Sequence, residues 1–231
     1  MGLARRGFWS VVISALIFFG VSHSWSHAAI VQAVSDTDCA PNLEAEARRS
    51  VIAYYGEVKA SPIIACLQGP VLGLQVNYGT TRFAPFMPTI IILGPQGQNT
   101  DVASHEFSHA ELAYRTSPLL RTYRIPTWFD EGVGMQLDHR APYSEEALQG
   151  YLTNGAKPDL TLSQLSRPKD FFRAGEDGKV HYAFSKCVIR RWMTKEGRQG
   201  LDDVISGVGW FSKFPTSQFE IYGTECLTIS S

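Results

Sequence analysis
The sequence predicts an α+β domain in which a small twisted sheet packs on one central helix and a mainly helical half follows. Three observations carry that expectation. Leu43, Ala47, Val51, Tyr54, Tyr55 and Val58 form an i, i+3/i+4 apolar stripe, the mark of an amphipathic helix over 41–58. The run TIIIL at 89–93 is rich in β-branched residues and closed by Gly94 and Pro95, which marks a strand. After the turn-forming GPQGQNT, helical patterning resumes from about Val102 to Arg115.

Before the first of these elements lies a segment of different character. Arg5 and Arg6 precede an apolar run from Phe8 to Val21, and Ser26 and Ala28 then stand at small-residue cleavage spacing. This is the pattern of a signal peptide over 1–28, with one domain over 29–231. The alternative is an uncleaved membrane anchor, although the apolar run falls short of the roughly 20 residues a spanning helix needs. The expected location is therefore exported, periplasmic or secreted, with membrane contact only if the segment is retained. Four cysteines, Cys39, Cys66, Cys187 and Cys226, lie beyond the cleavage point and permit two disulfides in three pairings. Sequence order favours Cys39–Cys66 and Cys187–Cys226. No C-x-x-C pair supports a four-cysteine zinc site. The formal charge of -1 gives no electrostatic footprint for nucleic acid, so no such partner is expected.

Within the domain, Pro41 suits a first helical position. Pro62–Leu67 and Val71–Val76 are short apolar runs punctuated by glycine, and are expected as strands. Thr100 or Asp101 is placed to cap the central helix. Thr127 can cap another, carrying Trp128, Met135 and Gln136. A long helix is expected over YAFSKCVIRRWMTKEG, 182–197.

The central helix contains HEFSH, residues 105–109. Residues four apart on a helix share a face, so the His105 and His109 imidazoles can converge on one ion. Glu106 is turned about 100° from His105 and about 60° from His109, at 3.6 residues per turn. It can reach a water on the same metal without being a ligand. Two nitrogens to hold a zinc ion and a carboxylate to take a proton are the parts of a zinc hydrolase. Phe107 and Ala110 are expected to face the body.

Downstream, WFDEG at 128–132 places Glu131 after an interval of 21 residues from His109. H-E-x-x-H followed by this E-G pair resembles the gluzincin zinc metallopeptidases, the peptidase MA-like group. The similarity extends in order and spacing through PDLTLSQL, the 182–197 helix and FEIYGT, from about residue 40 onward. It implies a zincin-like fold with one zinc ion per chain. His105, His109 and Glu131 would be the ligands, Glu106 the general base, and a peptide or protein the substrate, cleaved with a metal-activated water. The G-x-M-E-N stretch by which aminopeptidase relatives hold a free amine is absent from the sequence, which points to an endopeptidase. A non-catalytic zinc-binding scaffold on the same fold is the alternative, although such a protein has no need of Glu106 beside the metal.

The remaining roles are assigned in the same frame. Asp130 is the first choice to orient a ligand histidine, with Asp138 and Glu111 as alternatives, because metal-bound imidazoles donate their second N–H to a carboxylate or carbonyl. Some gluzincins carry an aspartate four residues beyond the ligand glutamate; here that residue is Met135. Tyr182 is the expected oxyanion donor ahead of His181 and Tyr222. His139 is expected as an exposed loop histidine, and His23 and His27 fall in the signal segment. Gly132 is expected to let its helix approach the HEFSH helix, with the two packed antiparallel. A sheet edge should flank the cleft and accept a peptide as an added strand.

Overall fold
A computed structural model of the chain describes residues 39–70, 75–83, 88–154, 160–173 and 176–228. The predicted signal segment lies outside these residues. Among the described residues, no helix is long and apolar enough to cross a membrane.

The architecture is α+β. Helix α1 (Leu43–Tyr55) begins two residues after Pro41 and buries Leu43, Ala47, Val51 and Tyr55 of the predicted stripe, while Tyr54 is half-buried and Val58 lies beyond the helix end. Three short strands follow: β1 (Ile63–Cys66), β2 (Gly79–Arg82) and β3 (Ile90–Leu93). They form one mixed sheet in the order β1-β3-β2, with β1 parallel and β2 antiparallel to β3. Strand β3 is fully buried because it is central and both faces are covered, as its unbroken Ile-Ile-Ile-Leu run requires. Part of the expected strand Val71–Val76 lies outside the described residues, and Gln75 and Val76 are not in a strand. The third strand is instead GTTR, whose half-polar composition fits an edge.

The central helix α2 (Thr100–Thr116) is capped by neither Thr100 nor Asp101. Asn99 caps it, its side-chain oxygen accepting from the Val102 amide at 3.1 Å. Thirteen of its residues are buried, so α2 is the axis around which the other elements pack. The exposed short helix α3 (Pro118–Arg124) was not anticipated, and it leads to α4 (Thr127–Gly134), which continues as a 3₁₀ turn over Met135–Leu137. Thr127 opens α4 as its first helical residue rather than its cap, and its hydroxyl donates to the Ser166 carbonyl at 3.3 Å.

The C-terminal half is helical: α5 (Glu145–Thr153), α6 (Pro168–Phe171), α7 (Glu176–Gly207) and α8 (Glu220–Leu227). Helix α7 is longer than the expected 182–197 segment and is broken at Gly197, whose φ of 66° is one that glycine adopts without strain. The disulfides pair as sequence order suggests, Cys39–Cys66 and Cys187–Cys226, with separations of 27 and 39 residues. The first ties the start of α1 to β1, and the second ties α7 to α8. Cross-links of these spans are worth about 3–4 kcal/mol each in the chain-entropy picture.

Candidate metal centre
Packing brings α4 against α2. Trp128 and Phe129 at the start of α4 are fully buried. Their rings lie 5.1 and 5.6 Å from that of Phe219, and Phe129 lies 6.3 Å from Trp192. Burying a large aromatic side chain contributes about 1.5–3 kcal/mol, so these two anchor α4 firmly. The next two residues, Asp130 and Glu131, are left facing α2.

Gly132 makes a close approach, but not to α2 as expected. A Cβ there would lie 2.7 Å from the Ser185 carbonyl oxygen and 2.7 Å from Ile189, both on α7. Gly134 is the glycine that faces α2. A Cβ on it would lie 3.0 Å from both Nδ1 and Cε1 of His105.

Three donor atoms converge between the helices. His105 Nε2 is 3.1 Å from His109 Nε2 and 3.2 Å from Glu131 Oε2, and His109 Nε2 is 3.5 Å from the same oxygen. All three residues are buried, and together they could hold one metal ion. Two imidazole nitrogens and a carboxylate oxygen are three donors, one fewer than the four that a zinc ion usually takes.

Asp130 lies against one of the two histidines, as the orienting residue was expected to. Its Oδ1 is 2.7 Å from His109 Nδ1, so an N–H there donates to it and leaves Nε2 for a metal. Arg121 of α3 donates to the same oxygen from Nε at 3.1 Å and pairs with Oδ2 through Nη2 at 2.5 Å. Phe83 lies under that guanidinium, 4.8 Å from ring centre to Cζ.

His105 lacks the equivalent. Its buried Nδ1 has no hydrogen-bond partner among the described residues. The position four residues beyond Glu131, where some gluzincins carry an aspartate, is Met135, which has no hydrogen-bond acceptor to match one. The ring is held by packing instead, against Gly134, against His109 at 4.7 Å and against Tyr182 at 6.3 Å.

Neither alternative orienting residue reaches a ligand histidine. Glu111 accepts from the Lys59 and Ala60 amides at 2.9 and 2.8 Å and pairs with Arg115 at 2.7 Å. It fastens the segment between α1 and β1 to α2. Asp138 accepts from the Arg140 side chain.

The charges are interlocked. Burial opposes a charge on His109, but the Asp130 and Glu131 carboxylates outweigh it and push the imidazole up to about 10. Burial likewise opposes a charge on Glu131, yet His109 and His105 hold its carboxyl well below the usual range. Asp130 is held down against its burial by Arg121 and His109.

Glu106 sits on the sheet side of the same turn. Its Oε2 lies 2.7 Å from the Thr81 hydroxyl, which is also 2.9 Å from the Glu106 backbone carbonyl and can donate to one of them at a time. Thr81 belongs to edge strand β2. A Cβ on Gly79, at the start of that strand, would lie 2.7 Å from Glu106 Oε1 and 2.9 Å from the Val102 side chain, so any larger residue there would have to displace the carboxylate or its neighbour. The expected sheet edge therefore does flank the metal group.

Tyr182 closes the other side, next to His105. Burial, then the Glu131 and Glu106 carboxylates, raise its phenol well above the ordinary value, so it remains a proton donor at neutral pH. His181 is not in the site: its Nδ1 lies 2.7 Å from the Phe171 carbonyl, a core hydrogen bond. Tyr222 belongs to the apolar core, and His139 is exposed as expected.

Thr81, Gly79, Arg121 and Gly134 are the site residues that sequence reasoning missed. For Gly79 and Thr81 a signal exists, a glycine opening the β-branched pair Thr80-Thr81. Arg121 and Gly134 carry no local signal. No known protein family, curated protein or solved structure matches this chain.

Proposed function
We propose that this chain is an exported zinc-dependent metallopeptidase of gluzincin type, an endopeptidase on a zincin-like fold. The observation that carries the proposal is the convergence of His105 Nε2, His109 Nε2 and Glu131 Oε2 within 3.5 Å, with the Glu106 carboxylate one residue away on the same helix. The donor set fits zinc: two imidazoles and one carboxylate balance softness and charge, and one orienting carboxylate stands behind them. The two disulfides support an oxidising compartment.

His105, His109 and Glu131 would hold the ion, which when bound supplies a Lewis acid that acidifies water and polarises the scissile carbonyl. Glu106 takes a proton from the attacking water and delivers it to the leaving amine. The Thr81 hydroxyl engages Glu106 Oε2 and fixes the carboxylate against the strand. Tyr182 donates its O–H to the oxygen that gains charge as the carbonyl is attacked. Strand β2 offers to an extended peptide the edge that is unpaired among the described residues, which holds the scissile bond beside Glu106.

The test is metal content by mass spectrometry for wild type and Glu131→Ala, beside peptide hydrolysis by wild type and Glu106→Gln. The proposal expects one equivalent of zinc lost with Glu131, and hydrolysis lost with Glu106 while zinc is kept. Zinc without turnover on any peptide would instead establish a non-catalytic zinc-binding scaffold.

A further inference from the structure
Arg140 is not used by the mechanism, yet it joins the two walls of the proposed cleft. Its guanidinium carbon lies 5.3 Å from the Tyr78 ring centre and 4.9 Å from that of Tyr143. Tyr78 immediately precedes Gly79, the glycine that abuts Glu106, and so belongs to the sheet wall. Tyr143 belongs to the helical wall: its ring is 5.7 Å from Tyr182, which in turn is 6.3 Å from His105. Arg140 is thus separated from His105 by two aromatic rings, Tyr143 and Tyr182, and from Glu106 by Tyr78 and Gly79.

Its orientation is fixed from behind. Arg140 Nε reaches Asp138 Oδ1 and Oδ2 at 2.9 and 3.0 Å, and Nη2 reaches Oδ2 at 2.5 Å. The Asp138 side chain is fully buried, whereas that of Arg140 keeps 27% of its surface exposed. The opposite edge of the guanidinium, at Nη1, has no partner among the described residues. If Arg140 served only to neutralise Asp138, one cation would be enough. A second one is present, since the Lys186 ammonium donates to the Asp138 backbone carbonyl. Asp138, Arg140 and Lys186 together carry a net charge of about +1 by formal count. A planar guanidinium held rigid on one edge and bare on the other matches a carboxylate.

We propose that Arg140 is a specificity-determining residue that selects peptides bearing a carboxylate near the scissile bond, from an Asp or Glu side chain or from the free C-terminus. The inference rests on the peptidase proposal for its substrate class.

The test uses the full mature chain loaded with zinc and a set of internally quenched peptides. Each carries Glu or Gln at one position around a common core, and each core is made with a free or an amidated C-terminus. The expected result is at least a tenfold preference in kcat/KM for the carboxylate form at one position, expressed in KM. In Arg140→Gln that ratio should fall to near one. Because this variant leaves Asp138 buried without its partner, Asp138→Asn/Arg140→Gln is run beside it and should show the same loss of preference. The arm that responds tells a side-chain carboxylate from a terminal one.

Binding of the same peptides to Glu106→Gln, followed by fluorescence anisotropy, separates the two proposals. Carboxylate-selective binding to this variant, together with no hydrolysis of any of the peptides by wild type, would sink the peptidase reading and keep the Arg140 site. Hydrolysis by wild type with no Glu-over-Gln or acid-over-amide preference would overturn the Arg140 site alone. A preference that persists in both Arg140 variants would overturn it equally.

Discussion

Replacing Gly134 with alanine should weaken metal binding without weakening the fold. Gly134 has helical torsions, φ -57° and ψ -41°, so a side chain there is conformationally welcome. By propensity alone the alanine gains up to about 1 kcal/mol in a helix. Its Cβ, however, would fall 3.0 Å from two atoms of the His105 ring, where ordinary contact begins at 3.4 Å. The imidazole must retreat by a few tenths of an ångström. It is packed against His109 and Tyr182 and has no hydrogen bond at Nδ1 to guide it into a new position. Metal–ligand distances tolerate about 0.2 Å. A displacement of this size should cost about tenfold to a hundredfold in affinity, the range seen when a ligand loses its support. Competition against a chromophoric chelator measures the affinity, and thermal melting of the metal-free protein measures the fold. Binding within twofold of wild type, with an unchanged melt, would refute the idea that packing rather than a hydrogen bond positions His105.

Other outcomes follow from the same contacts. Asp130→Asn should lower zinc affinity about tenfold to a hundredfold, because His109 loses the carboxylate that holds its Nδ1–H; the chelator competition checks it. Tyr182→Phe should lower kcat by about tenfold or more at nearly constant KM, read from steady-state peptide hydrolysis. In the metal-free protein the raised pKa of His109 stabilises the fold fully below its unfolded value of about 6.5, and that contribution is lost as pH rises toward about 10. The melting temperature of the metal-free form should therefore fall between pH 7 and 10. Zinc uptake at pH 8 should release about one proton, seen as a buffer-dependent enthalpy in calorimetry. Reducing both disulfides should lower the melting temperature, most simply read by scanning fluorimetry with and without reductant.

Where a signal is carried by spacing along one element, the sequence reading matched the structure. The stripe of α1, the buried run of β3 and the i, i+4 pair His105/His109 are properties of a single helix or strand, and each stands where the pattern put it. Glu131 was legible through the resemblance of H-E-x-x-H followed by the E-G pair to the gluzincins, and Asp130 because it lies beside Glu131 in sequence. What escaped depends on pairing between elements. Strand β2 is four residues long with no buried position, so its pattern carries no burial signal and it becomes a strand by pairing with β3. Helix α3 buries no residue and so has no apolar stripe to detect. Asn99, Thr100 and Asp101 are all good capping types, and which of them caps is settled by the turn that precedes the helix. The two glycines of α4 look alike in sequence. One meets α7 and the other meets His105, a distinction that exists only after packing.

The charge arrangement gives the strongest physical reason to expect a cation between α2 and α4. Asp130 and Glu131 are consecutive carboxylates on one helix, with side chains only 12% and 8% exposed. Two such charges side by side in a dry interior are costly unless each is matched. Arg121 matches Asp130, pairing with both of its oxygens. No lysine or arginine reaches Glu131 among the described residues; its partners are the two histidines, and the proton that satisfies it sits on His109. A cluster evolved only for stability would gain little from this arrangement, because a neutral residue at 131 would remove the need for a buried, proton-dependent pair. A dication bound there would supply the missing charge permanently, would free the His109 proton, and would take the three crowded donor atoms as ligands. The same substitution of ion for proton explains why Arg121 belongs to the site although it touches none of the ligands. With Asp130 already neutralised, the charge of a bound dication would be met by Glu131 alone, which would leave the centre net positive and able to polarise a carbonyl, as the proposed function requires.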